Sequence, residues 1–164
     1  MRLALYQADI PQNAGTLLRL GACLGVAVDL IGPAGFDVSH RSLRRAAMDY
    51  LEKAEFQLHS NFDDFERWRL EKGSRLIALS SRGKTPYTNF AYQQTDILLV
   101  GRESAGLPSS VLDTCDVNVT IHMRPGMRSM NVAVAAAMVL GEALRQTGGF
   151  DKLRAHGETM RDHD

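Results

Sequence analysis

The segment Ile121–Gln146, IHMRPGMRSMNVAVAAAMVLGEALRQ, constrains the fold more than any other stretch of this chain. From Met130 to Leu140 only Asn131 is polar. A helix that is apolar on every side must be covered on every side, by a large core or by a second chain. The residues just ahead of it form a loop that sets Pro125 and Gly126 between Arg124 and Arg128. A loop of that composition leading into a buried helix reads as the wall of a site rather than a connector.

The rest of the chain supplies the core for that helix to enter. Short apolar runs at Arg2–Tyr6, Val26–Ile31, Arg75–Leu79 and Asp96–Val100, with DVNVTI ending at Ile121, alternate with segments of helical period. The runs are apolar throughout rather than at alternate positions, which suits strands covered on both faces. The expected fold is α/β, a mostly parallel sheet flanked by helices. Ligands in such sheets sit beyond the carboxyl ends of the strands. Three loops leave those ends, from Ser80, Gly101 and His122, and are expected to converge.

Between the first two strands Pro11 suits the opening turn of a helix, with Asp9 or Asn13 as its cap. Leu17, Leu20, Gly21 and Leu24 form its inward stripe, and Gly25 ends it. Gln12, Thr16, Arg19 and Cys23 fall on another stripe. Arg19 is therefore held by a packed helix while facing away from the core, as a solvated or as a functional arginine. A second helix over His40–Tyr50 clusters Arg41, Arg44 and Arg45, either an exposed face or a phosphate-contacting patch. A short strand is expected at Glu55–Leu58. Ser60 or Asn61 caps a third helix, Phe62–Lys72, which Gly73 stops.

The 164 residues suit one domain, 1–147, followed by a polar, frayed tail, 148–164. The formal net charge is zero, so any nucleic-acid contact must be local. Cys23 and Cys115 give no disulfide framework and are expected as small buried hydrophobes. The histidines lack ligand spacing, and no metal is expected. No signal segment and no run of membrane-spanning length is present, which points to the cytoplasm.

GRESAGLP, from Gly101, tests a phosphate-loop reading and fails it. Leu107 and Pro108 stand where Lys and Ser or Thr are required. A turn remains in which Gly101 permits close backbone approach to a ligand and Glu103 favours a cationic centre. No nucleophile elbow is present.

Together NAGTLLR (13–19), ILLVGRESAGLP (97–108) and Ile121–Gln146 resemble the three motifs of the SPOUT class of RNA methyltransferases. They are most similar to its short 2′-O-methyltransferases of the tRNA wobble nucleotide, cytidine or a modified uridine. The third motif is the most specific, and the likeness runs from Arg2 to about Gln146. It implies a deep C-terminal trefoil knot, a homodimer, tRNA as substrate and S-adenosylmethionine held by the knot loops. By that resemblance, backbone groups around Leu79, Gly101 and Ile121 hold the cofactor. Ser129 lies at the cofactor or the reacting ribose, Arg19 serves methyl transfer, and Asn13 and Asn131 support the geometry. Arginine side chains stay protonated in proteins, so Arg19 is either strongly perturbed as a base or an orienting cation. Arg41, Arg44, Arg45, Arg82, Lys84, Arg124 and Arg128 are the candidate RNA contacts. Relatives acting on other RNAs often carry a domain ahead of the first strand, which here starts at Arg2; methylation of another RNA position and an inactive RNA-binding module are the competing expectations.

Overall fold

The computed structural model of this chain describes residues 1–153. Its centre is a seven-stranded sheet: β1 (Arg2–Tyr6), β2 (Ala27–Ile31), β3 (Phe56–His59), β4 (Leu76–Leu79), β5 (Thr85–Pro86), β6 (Ile97–Val100) and β7 (Val117–Thr120). The order is β3-β2-β1-β6-β4-β7-β5, and every ladder is parallel. The helices packed around it are α1 (Pro11–Leu24), α2 (His40–Ala47), α3 (Phe62–Lys72), α4 (Ser109–Thr114) and α5 (Val132–Gln146).

The continuous apolarity of the strands follows from two cores, one per face. Leu3, Leu5, Val28, Leu30, Leu98 and Val100 point into one, with Leu17 and Leu18 of α1, Leu43 of α2 and Leu140 of α5. Ala4, Tyr6, Ile31, Ala78 and Leu99 point into the other, with Phe65 of α3 and Val111 and Leu112 of α4. Each fully buried large side chain of this kind contributes about 1.5–3 kcal/mol of apolar burial. Among the described residues, two carboxylates lie inside with no exposed side-chain surface: Asp96, paired with Arg75 Nε at 2.8 Å, and Asp29 in β2. The Asp29 carboxylate accepts from Arg2 Nε at 2.7 Å and Nη2 at 3.1 Å, and pairs with His59 Nε2 at 2.9 Å. Such a pairing offsets the desolvation of a buried carboxylate, which is otherwise prohibitive.

Several boundaries and contacts differ from the sequence expectation. Pro11 does open α1 and Gly25 closes it at φ 61°, but the cap position is Ile10 and no side chain caps it. Asp9 and Asn13 are spent on the 101–107 loop instead. The buried stripe of α1 includes Ala14 and Leu18, and Gln12, Thr16, Arg19 and Cys23 are all exposed. Cys23 is thus a correction to the expectation of a buried cysteine; Cys115 is sheltered, and burial pushes its thiol up to about 12. α1 presses onto α2 so closely that a Cβ at Gly15 would stand 2.3 Å from the Ala46 carbonyl oxygen. α2 stops at Ala47 and gives way to a 3-10 turn, Met48–Tyr50. Asn61, with Oδ1 accepting from the Asp64 amide at 2.9 Å, caps α3. The polar stretch after Ser80 carries the two-residue β5 and a 3-10 turn.

Two corrections concern the C-terminal part. α5 begins at Val132 with Asn131 as its cap, and it is not covered on all sides within one chain. Ala133, Ala136, Val139, Leu140, Ala143 and Leu144 are buried, yet Val134 is 54% and Met138 37% exposed. The polar tail is helical at its start, over residues 149–153, where Lys152 Nζ donates to Gln94 Oε1 at 3.4 Å. The remainder of that tail, 154–164, lies outside the described residues. No helix among the described residues is long and apolar enough to cross a membrane.

Candidate functional site

β6, β4 and β7 are neighbours in the sheet, so their carboxyl ends open side by side. Leu79 ends β4, Gly101 follows β6, and Ile121 follows β7. Parallel strands therefore bring three residues distant in sequence to one edge. Together with Ser129 they line one cleft of about 570 Å³. The three loops converge there as expected, with Ser80–Arg82 on one side, Arg102–Leu107 on another and Met130–Val132 closing the third.

Gly101 is needed for a reason the sequence did not reveal. A Cβ there would lie 2.4 Å from the carbonyl carbon of Gly106 and 2.6 Å from the amide nitrogen of Leu107. The close approach is made by the chain's own returning loop. Arg102 and Gly106 exchange backbone bonds of 3.2 and 2.8 Å across it, and Gly106 sits at φ 69°.

That loop is latched to the entry of α1. The Asp9 carboxylate accepts from the Ser104 hydroxyl, from Arg102 Nη2 at 3.0 Å and from the Ser104 amide at 3.2 Å. The Ser104 hydroxyl first, and Arg102 second, hold the Asp9 carboxyl down at about 2, below its ordinary 3.8. A depressed folded value means the contribution to stability is complete above the ordinary value and is lost as pH falls through about 2. The latch is closed throughout the neutral range.

Glu103, expected to favour a cationic ligand, is already engaged. Its Oε2 accepts from the Asp9 amide at 2.8 Å and its Oε1 from Asn13 Nδ2 at 3.0 Å. Asn13 Oδ1 in turn accepts from Asn131 Nδ2 at 3.0 Å, and Asn131 Oδ1 caps α5 through the amides of Ala133 at 2.8 Å and Val134 at 3.2 Å. Glu103, Asn13 and Asn131 thus tie the cleft loop, α1 and α5 into one unit. Arg82 adds a bond from Nη2 to the Leu107 carbonyl at 2.9 Å, joining the loop after β4 to the loop after β6.

Arg19 is not in the cleft wall. It lies six residues beyond Asn13 on α1, about 9 Å along the axis at 1.5 Å per residue. Its guanidinium stacks on the Tyr50 ring, 4.5 Å from the centroid. Of the seven basic residues expected at RNA, only Arg82 lines the cleft. Arg41, Arg44, Arg45, Lys84, Arg124 and Arg128 are exposed, and Arg44 pairs with Glu52 at 2.8 Å. Met123, from the loop read as a site wall, lines the cleft too, and Ile10, Val132 and Ala135 line it without having been singled out. Nothing local distinguishes them from other apolar residues. No group of metal-ligating side chains is present among the described residues.

Comparison with family models matches the SpoU rRNA Methylase family over residues 1–141. The chain belongs to the SpoU methylase family. A relative from Beijerinckia indica, named tRNA (cytidine(34)-2′-O)-methyltransferase, is 58% identical over 92% of this chain and 94% of its own length. One of the same name from Escherichia coli K12 is 37% identical over 90% of this chain and 94% of its own. Among solved structures, one described as "Structural insights into the 2-OH methylation of C/U34 on tRNA" is 41% identical. It superposes with a TM-score of 0.83, covering 88% of this chain and 94% of the other. The SpoU methyltransferase AviRb from Streptomyces viridochromogenes, in complex with AdoMet, is 26% identical with a TM-score of 0.81. There the overlap covers 89% of this chain and 57% of the longer one. The sheet and helices described above are thus those of SpoU methyltransferases.

Proposed function

We infer that this protein transfers a methyl group from S-adenosylmethionine to the ribose 2′-hydroxyl of the tRNA wobble nucleotide, cytidine 34 or a modified uridine 34. The observation that carries this reading is the meeting of Leu79, Gly101, Ile121 and Ser129 in one cleft of a chain 58% identical to a relative of that name.

The cleft fits the cofactor. Its volume, about 570 Å³, falls within the roughly 300–1,000 Å³ of small-molecule sites. Leu79, Leu107, Ile121 and Met123 offer apolar walls for an adenine ring, and the strand ends offer backbone donors and acceptors. Leu79, Gly101 and Ile121 would hold the adenine and its ribose, and Ser129 would stand at the reacting end. When bound, S-adenosylmethionine supplies a methyl group on a sulfonium, already reactive toward an oxygen nucleophile. The protein's task is to hold the 2′-hydroxyl in line with that methyl. Such positioning contributes up to roughly 7–11 kcal/mol in the best cases. The hydroxyl sheds its proton as it attacks. Arg19, stacked as a cation on Tyr50, is suited to orienting the ribose and its phosphate.

The exposed apolar stripe of α5 supports a homodimer. Val134 and Met138 stand one turn apart beside the buried face that packs on α1. A second copy would cover them and carry its own Arg19 toward the first copy's cofactor. Replacing both Val134 and Met138 by Glu is expected to convert a species of twice 18.1 kDa into one of 18.1 kDa by light scattering. An unchanged mass would remove this face from the dimer.

The path of the chain supports the knot. After β7, on the far side of β4, it returns along the cleft and sets α5 against β6 and α1. On this reading the catalytic domain would span residues 1–147, followed by the tail 148–164, and would work in the cytoplasm.

Incubation with tRNA and S-adenosylmethionine, followed by nucleoside mass spectrometry, is the direct test. The expected product is a 2′-O-methylated nucleoside at position 34; methylation of a base, or of a ribose elsewhere, would overturn the reading. The arginines of α2 should serve the same substrate. Changing Arg41, Arg44 and Arg45 to Gln is expected to weaken tRNA binding at low salt and reduce the slope of log affinity against log salt by up to about 2–3. An unchanged slope would exclude the patch.

A further inference from the structure

A second cavity, of about 240 Å³, opens at the carboxyl ends of β1, β2 and β3. It shares no lining residue with the cofactor cleft. The two are nevertheless adjacent: Ala8 lines the second and Ile10 the first, so the turn Ala8–Ile10 is the wall between them. We propose that this cavity receives an unstacked nucleobase next to the methylated nucleotide, making it a substrate-positioning subsite. The proposal rests on the functional reading above.

Three observations carry it. The first is shape and lining. The cavity is smaller than the usual range for whole small-molecule sites, roughly 300–1,000 Å³, and suits a planar ring system rather than a complete cofactor. Leu5, Leu30, Pro33, Ala34, Phe36 and Leu58 make it apolar, with Phe36 half-buried and Leu58 48% exposed. Apolar and aromatic surfaces of this kind take up bases splayed from single-stranded RNA, and stacking is tolerant of base identity.

The second is a polar group at the rim. Ser60 is exposed and lines the cavity, its hydroxyl able to donate to or accept from a base edge. The other polar side chains around the cavity have partners of their own. Asp37 accepts from Ser39, the Asp9 carboxylate in the shared wall is held by Arg102 and Ser104, and His59 is turned to Asp29.

The third is charge. Val38 is the last residue of the loop lining the cavity, and α2 begins two residues later with Arg41, Arg44 and Arg45 exposed on it. A strand with its reacting ribose at the cofactor cleft and the next base in this cavity would continue toward those arginines. A neighbouring nucleotide of an extended strand is the ligand that matches both the short step between cavities and the cation cluster beyond.

The test pairs changes on both molecules. Stem-loop RNAs carrying an abasic site on either side of the target nucleotide are titrated against the wild-type protein, Phe36→Leu and Ala34→Phe. Phe36→Leu keeps an apolar contact on the core but removes the ring; Ala34→Phe fills the cavity from its loop. For one of the two abasic RNAs the wild type is expected to lose about five- to hundredfold in affinity. Both variants should lose a similar factor on intact RNA and little more on that abasic RNA. Their S-adenosylmethionine affinity and thermal midpoint should stay near wild type, since the two cavities share no residue. Variants that bind intact RNA as the wild type does, or penalties that multiply independently, overturn the subsite. If the wild type methylates the stem-loop while both abasic RNAs bind like the intact one, the subsite alone falls. If the wild type neither binds nor methylates it, the functional reading falls and the subsite with it.

Discussion

Replacing Arg19 by Ala is expected to lower the rate of methyl transfer by about 10²–10⁴-fold while leaving S-adenosylmethionine binding and the fold intact. The reason is its placement. Arg19 sits on the exposed stripe of α1 and makes one contact of note, the stack on Tyr50 at 4.5 Å. Its loss therefore costs little packing, and it lines no part of the cofactor cleft. Arg19→Lys should retain a positive charge but lose the planar fork that grips a phosphate or ribose at two points. An intermediate fall of roughly tenfold is expected for it. Single-turnover rates at saturating cofactor, with calorimetry for cofactor binding, decide the matter. Either variant transferring methyl at the wild-type rate with cofactor bound would remove Arg19 from the reaction.

Gly101→Ala should act on the opposite quantity. The added methyl would sit 2.4 Å and 2.6 Å from backbone atoms of Gly106 and Leu107, and backbone cannot yield as a side-chain tip does. The loop 101–107 must open, and its latches to Asp9, Asn13 and Arg82 must stretch with it. An overpacked site of this kind costs about 1–3 kcal/mol. Expressed at the cleft, that is a weakening of S-adenosylmethionine binding by roughly 5–150-fold, measurable by calorimetry. Binding at wild-type affinity would show that the loop adapts and that Gly101 is not what shapes the cleft wall.

The two expectations differ in how they could be read. Gly101 was visible as a glycine at a strand end, but the sequence suggested a ligand as the close neighbour, whereas the neighbour is the loop itself. Glu103 was visible as a charge in the same turn, but its partners are the amide of Asp9 and the side chain of Asn13, some ninety positions away. Periodicity reports which way a residue faces, not what another segment will bring to meet it. The same limit explains Cys23. Its apolar neighbours suggested burial, yet it shares the outward stripe with Arg19, and position on the helix outweighed local composition.

The sequence by itself determined the parallel α/β class, since strands apolar at every position require cover on both faces. It determined the outward stripe of α1, the stop of α3, and the three strand-end loops that form the cleft. Those features follow from local propensity and period. Tertiary structure alone decided that β6, β4 and β7 are neighbours, because strand order is a property of long-range pairing and not of any single run. It also decided that Asn13 and Asn131 meet, that Arg19 stands clear of the cleft, and that a second cavity lies across the Ala8–Ile10 turn. The helix of residues 132–146 shows the division within one element. Its composition demanded cover on every side, and the fold supplies cover for one face and leaves Val134 and Met138 open, because a sheet and one neighbouring helix cannot enclose a cylinder.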